Sequence, residues 1–220
     1  MSRHIRQMAA ALVALAVAGC SGGSSAPGSG DNSPSILRAG SSVLRDGLAG
    51  RKAAATPAAA PDPQAMAADA LAANPGPLIL VGFEDQGTTQ VLAMVGENGG
   101  MRTYMTKAEQ GLILRGFMLG GTRGFGSDLS VAEADGAAAL IAAGRSGNAR
   151  RVMRYYSGDG LERPLQFDCR IGPGPNAGVM VEDCAGHGIS FQNSYLPAAG
   201  VSRQWVGPGL GHATIQVLRN

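Results

Sequence analysis

From Pro77 to the C-terminus, apolar and polar residues alternate in short runs broken by turn residues, a pattern that predicts strands. The runs are 78–83, 88–95, 101–106, 112–117 and 118–125, then 150–156, 165–170, 179–182, 189–195, 201–206 and 213–218. Within the first group only a few residues separate one run from the next. Links that short join antiparallel neighbours, because a parallel pair needs a crossover of about a dozen residues. Asp85-Gln86-Gly87, Glu97-Asn98-Gly99-Gly100 and Glu109-Gln110-Gly111 supply the glycine or asparagine that tight hairpins need at positive φ. The alanine-dense segment 131–143 is the one helix expected inside this region, begun by Asp128 or Ser130 and ended by Gly144. The pattern predicts an all-β domain over 77–220: an antiparallel meander of about eleven strands with one inserted helix. Such a meander has two edges to protect, and closing into a barrel or half-barrel does so.

Before Pro77 the chain reads differently. No aromatic residue precedes Phe83, so the large side chains that dominate a core are all C-terminal. Residues 21–35 are small or polar and read as a flexible tether, and a second Ala/Pro-rich stretch covers 53–61. Two short helices are expected beside these linkers. The first spans about 36–48, weakened by Gly40 and Gly47. The second has better ends: Asp62 caps, Pro63 suits the first helical position and Asn74-Pro75 stops it.

The N-terminus adds an address. Arg3, His4 and Arg6 precede an uncharged apolar run over 8–18, too short for a spanning helix and ordered like a secretory signal. Val17-Ala18-Gly19-Cys20 resembles the lipobox of bacterial lipoprotein precursors. That resemblance implies removal of residues 1–19, lipidation of Cys20, and a mature segment over 20–76 leading into the β domain. More than one acyl chain makes a durable anchor, at about 0.8 kcal/mol per buried methylene. Ser21 stands where an aspartate would imply retention in the inner membrane, so outer-membrane anchoring with the protein facing the periplasm is expected. Export also bears on the other two cysteines. Cys169 and Cys184 lie on adjacent expected strands in an oxidising compartment, and with Cys20 taken by lipid a disulfide is their natural pairing.

Candidate chemistry is sparse. Gly-x-Ser-x-Gly does not occur, and Gly120-Gly121 to Gly126 lacks phosphate-loop spacing, so neither a nucleophile elbow nor a nucleotide cofactor is expected. His187 and His212 sit beside glycines and read as exposed turn residues. Cys184 and His187 lack the partners of a zinc set, so no metal is expected. The formal net charge of +2, without a basic block, leaves no footprint for nucleic acid. Asp168, Glu182 and Asp183 flank the cysteines and supply the carboxylates a glycan hydrolase would need, the alternative to a non-enzymatic role. Strand alternation places Arg150 and Arg154 on one face beside Tyr156, a candidate contact for glycan or partner. Trp205 is expected in the core, with stacking on sugar as its rival role.

Taken in order, Leu78-Ile79-Leu80-Val81, Glu84-Asp85, Val95-Gly96-Glu97-Asn98-Gly99-Gly100, Gly111-Leu112, Arg123-Gly124, Ser127-Asp128-Leu129, Tyr155 with Gly158-Asp159-Gly160, Phe167-Asp168-Cys169, Glu182-Asp183-Cys184, Asn193-Ser194-Tyr195 and the closing stretch from Arg203 to Gly211 resemble the YjbF/GfcB family of lipoproteins. The resemblance runs from about Pro77 to the end. It implies a barrel-like β domain and an accessory role in producing or exporting extracellular or capsular polysaccharide, with the polymer or export proteins as partners. It offers no catalytic residues to carry over. Tyr104, Glu109-Gln110-Gly111 and Leu196-Pro197 depart from the family pattern and thin any aromatic carbohydrate surface.

Overall fold

The computed structural model describes residues 62–156 and 158–220. The export signal, Cys20, the tethers and the helix expected over 36–48 lie outside the described residues. Twelve strands follow one another: β1 (Leu78–Phe83), β2 (Thr88–Asn98), β3 (Met101–Met105), β4 (Gly111–Arg115), β5 (Met118–Arg123), β6 (Leu129–Glu133), β7 (Gly147–Tyr156), β8 (Glu162–Pro173), β9 (Met180–Gly186), β10 (Ile189–Leu196), β11 (Val201–Gly207) and β12 (Gly211–Arg219). All pairings are antiparallel. β1 pairs with β12, which joins the two halves of the meander into one sheet ordered β5-β4-β3-β2-β1-β12-β11-β10-β9-β8-β7-β6. The sheet curls into a nearly closed barrel. Two α-helices, α1 (Pro63–Ala73) and α2 (Asp135–Ala142), and a 3-10 turn at Pro197–Ala199 complete the described residues.

Every expected strand is present, and one more comes from the segment read as helix. Over 131–143 the alanine content hides a change of element: β6 takes the first part and α2 begins only at Asp135. Leu129 is fully buried opposite Tyr155 of β7, so tertiary pairing claims this stretch for the barrel. Neither expected cap serves α2, whose start at Ala134 has no side-chain hydrogen bond. Asp128 instead accepts from Thr122 Oγ1 at 3.0 Å, Gly124 N at 2.9 Å and Phe125 N at 3.2 Å. Ser130 Oγ donates to Glu162 at 2.6 Å.

Those Asp128 contacts lie at the seam. β5 and β6 are the two ends of the sheet and share no ladder. Thr122 Oγ1 accepts from Leu129 N at 2.9 Å, and a β-carbon at Gly121 would stand 3.1 Å from the Ser130 carbonyl, so the two edges lie side by side. From across the lumen Gln204 of β11 reaches β5: its Oε1 accepts from Leu119 N at 2.9 Å and its Nε2 donates to the Phe117 carbonyl at 2.8 Å. Tyr155 of β7 likewise spans to β11, donating to the Val206 carbonyl at 2.7 Å. Gly207 permits that approach, since a β-carbon there would lie 2.8 Å from the Tyr155 ring.

Alternation sends one set of side chains inward. Phe167, Phe191 and Trp205 form an aromatic cluster, with Phe191 and Trp205 stacked at 4.4 Å and Phe167 edge-on to both. Trp205 sits in the core as expected, at 7% exposure, because the β10–β11 ladder stops at Ser194↔Arg203 and Asn193 Oδ1 accepts from Trp205 N in its place. Beside this cluster lies a buried ionic network. Arg151 and Glu182, both almost inaccessible, pair through two hydrogen bonds of 3.1 and 2.7 Å. Asn193 Nδ2 at 2.9 Å and Tyr195 Oη at 2.8 Å also donate to Glu182 Oε2. No buried side-chain polar atom among the described residues lacks a partner.

α1 forms as expected. Asp62 accepts from Gln64 N at 3.0 Å, Pro63 opens the helix, and Arg219 of β12 donates to the Leu71 carbonyl at 3.1 Å and to the Asn74 carbonyl. No residue of the helix is fully buried, but Met66, Ala67, Ala70 and Leu71 are half-buried where it packs near β1, β2 and β12, and Arg219 fastens its end.

Two measurements test the interior. Glu182→Ala strands the Arg151 charge and is expected to cost about 3–5 kcal/mol of unfolding free energy in denaturant titration. Arg151→Met with Glu182→Gln removes both charges while keeping an acceptor for Asn193 and Tyr195, and is expected to recover most of that loss. The second test is alkaline. Burial raises both Tyr155 and Tyr195 above the ordinary tyrosine range. A raised folded-state pKa means that stability is complete below about pH 10 and is lost as pH climbs above it. The tyrosinate absorbance of these two residues should therefore appear together with the loss of far-UV dichroism.

Candidate functional site

The outward positions of β7 to β10 form an open concave shelf of about 1040 Å3. Its register is fixed by the disulfide. Cys169 and Cys184 are direct cross-strand partners on β8 and β9, bonded to each other as expected and facing the core. Their outward neighbours are thereby aligned: Arg150 opposite Asp168, Arg170 opposite Asp183, and Asp183 opposite Gln192. Gln192 donates to Asp183 at 2.7 Å, and Arg170 stands 3.7 Å from the same carboxylate.

The polar row continues beyond the shelf. The Gln192 carbonyl accepts from Arg203 Nη1 at 3.3 Å and lies 3.1 Å from the His212 ring. Arg203 holds Glu84 through two contacts of 2.6 Å. That hydrogen bond draws the Glu84 carboxyl below its usual range, while burial and then the Arg203 charge lower His212. A belt of alternating guanidinium, carboxylate and amide groups thus crosses the outer face from β7 to β1. Such a belt offers donors and acceptors in alternation, the arrangement that meets the hydroxyls of a polar polymer.

The expected contact residues distribute over several places. Arg150, Arg154 and Tyr156 share the outer face of β7, since Arg151, Met153 and Tyr155 point inward. Only Arg150 lines the shelf. Arg154 pairs with Glu133 of β6 at 3.0 Å, and Tyr156, 68% exposed, stands six residues along the strand from Arg150, roughly 20 Å away. Trp205 is inside, its ring stacked on Phe191. Asp168, Arg170, Asp183 and Gln192 were not singled out as contact residues, although alternation about the two cysteines places them together.

Of the carboxylates considered for hydrolysis, Glu182 faces the core and is held by Arg151, whereas Asp168 and Asp183 line the shelf. Asp168 is exposed to water. His187 is a turn residue at φ 53, as expected, and its Nε2 accepts from Gln166 N at 3.1 Å. His212 departs from its expected place in a turn: it opens β12 opposite Trp205 and is partly buried. Among the described residues Cys169, Glu182 and Cys184 come close enough to suggest a metal, but both sulfurs are spent in the disulfide and Glu182 is spent on Arg151. No helix among the described residues is long and apolar enough to cross a membrane.

Comparison with known proteins places this geometry in a family. The fold is similar to the crystal structure of the hypothetical lipoprotein YmcC from Escherichia coli K12, with a TM-score of 0.57 and 13% sequence identity over 86% of this chain and 98% of that one. No curated protein matches the chain. The profile described as group 4 capsule polysaccharide lipoprotein gfcB, YjbF matches residues 44–218, so the family pattern begins upstream of Pro77 and takes in α1. The chain belongs to the YjbF family of capsule polysaccharide lipoproteins.

Proposed function

We propose that this protein is a non-enzymatic accessory lipoprotein, anchored through Cys20 in the outer membrane and facing the periplasm, that holds extracellular or capsular polysaccharide, or a protein of its export apparatus, on the outer shelf. The observation that carries this reading is the shelf itself. It is open along its length and lined by alternating Arg150, Asp168, Arg170 and Asp183, and it suits an extended polar chain lying across strands. Charges of both signs favour orientation over strong nonspecific attraction. Membership of the capsule polysaccharide lipoprotein family supports the process, and the sequence around Cys20 supports the anchor.

The hydrolase alternative would use Asp168 and Asp183, which share the shelf. It differs in a measurable way. Deleting the gene is expected to lower secreted polysaccharide several-fold, and complementation with Arg150→Glu plus Arg170→Glu to fail at normal protein level. Asp168→Asn plus Asp183→Asn should retain much of the function if the shelf only binds, and none if it cleaves. Polymer unchanged on deletion would remove the proposal. Cys20→Ala should shift the protein out of the membrane fraction.

A further inference from the structure

A second concave site lies away from the shelf, on other strands, at the barrel mouth. There the β2–β3 hairpin, the β4–β5 turn and the 3-10 turn Pro197–Ala199 surround a cleft of about 570 Å3. This size falls within the range of small-molecule pockets, about 300–1,000 Å3. Its rim carries a pair that the strand pattern alone would not place there. Leu92 and Met94 of β2 point inward, so simple alternation would turn Glu97 outward. A bulge between Met94 and Gly96 leaves Val95 unpaired and 62% exposed, and it restores Glu97 to the inner side opposite Arg102. Glu97 Oε2 accepts from Arg102 Nε at 2.9 Å, with both side chains still partly open to water.

Below the rim the walls are apolar. Leu114 stands opposite Arg102 in register, and Phe117, Ile215 and Val217 continue the lining. Ser202 and Phe117 of the lining are tied together by the buried Gln204, whose amide donates to Ser202 Oγ at 2.9 Å and to the Phe117 carbonyl. The lip at Gly200, at φ 63, is fixed by Val217 N donating to the Gly200 carbonyl at 2.8 Å.

We propose that this mouth binds the end of a glycan, taking a neutral pyranose ring with its C–H face on the apolar wall and adjacent hydroxyls on the Glu97–Arg102 fork. A carboxylate beside a guanidinium both accepts and donates, which matches vicinal hydroxyls. The pair is neutral as a unit, so a charged sugar gains no net attraction from it. A fatty chain in the same cleft would strip water from the ion pair and return no hydrogen bonds, which is unfavourable. A cleft of about 570 Å3 at the barrel mouth takes the end of a chain and leaves the rest of the polymer outside. The inference rests on the polysaccharide reading above and adds a second, end-specific site to it.

The test uses the full-length lipoprotein in a sugar-free detergent, with nitrogen-edited NMR spectra during titration with methyl α-D-glucopyranoside, methyl β-D-galactopyranoside, maltose and cellobiose. D-glucuronate and decanoate serve as charged and apolar controls. At least one neutral sugar is expected to shift the Gly116, Phe117 and Gly200 signals saturably, with Gln192 on the outer shelf unmoved. Arg102→Ala and Glu97→Ala, both at the water-exposed rim, should each weaken that binding at least tenfold with the remaining spectrum preserved. Absence of a saturable shift at the mouth with all four sugars overturns the inference, and so does saturation by decanoate or glucuronate alone. If deletion of the gene lowers secreted polymer while the mouth stays silent, this inference fails and the export reading stands. If the mouth binds sugar while deletion leaves polymer unchanged, the site stands and the export reading fails.

Discussion

A curled meander whose two end strands share no ladder must be closed by something other than backbone hydrogen bonds, and the rest of the molecule depends on how this is done. At the β5–β6 seam the work falls to Thr122 and Asp128, which satisfy Leu129 N, Gly124 N and Phe125 N. Gln204 does the same from across the lumen for Leu119 N and the Phe117 carbonyl. An edge left bare would invite pairing with another chain. Leu119 N and Leu129 N are the buried members of this set, and leaving either without a partner would cost about 1–3 kcal/mol. Closure in turn fixes which way each strand faces.

Once inside and outside are fixed, the same strands carry two kinds of chemistry. Inward, β7 to β10 contribute Arg151, Cys169, Cys184, Glu182 and Tyr195, all buried. A buried ion pair is weak evidence of added stability, because desolvation offsets the attraction. Its four donor contacts on one carboxylate do have a geometric effect, since they tie β7, β9 and β10 at one level of the barrel. Outward, the neighbours of these residues make the shelf. The register that aligns Arg170 with Asp183 is the one that aligns Cys169 with Cys184, so the covalent bond in the core sets the spacing of charges on the surface.

Much of this was legible in the chain, for identifiable reasons. Short turns forced antiparallel neighbours, and period-two alternation sent Arg150 and Arg154 outward, whereas Trp205 is buried where the alternation of β11 breaks off. The paired cysteines were legible too, and with them the register that would have exposed Asp168, Arg170 and Asp183 as one surface. Three features were hidden because they are non-local or break the period. The strand at Leu129–Glu133 lies in a run whose alanines favour helix, and only pairing with β7 overrides that preference. Alternation turns Arg151 to the inner face, but its partner there is a carboxylate 31 residues away that no local pattern names. Glu97 owes its direction to a bulge, which shifts the period by one without leaving a mark in the hydrophobic pattern.

The separation of shelf and mouth has a consequence for how a polymer could be held. The shelf presents water-exposed charges of both signs, so each ionic contact there is weak and screened by salt. Weak contacts repeated along an extended chain permit sliding. The mouth is smaller and more enclosed, with an ion pair set above apolar walls, and a terminus seated there would be oriented by a few short hydrogen bonds. Because the two sites are built from different strands and share no residue, occupancy of one leaves the other open. On the reading proposed above, a barrel built this way would join a surface that holds loosely to a socket that holds by shape, a combination that would guide a chain.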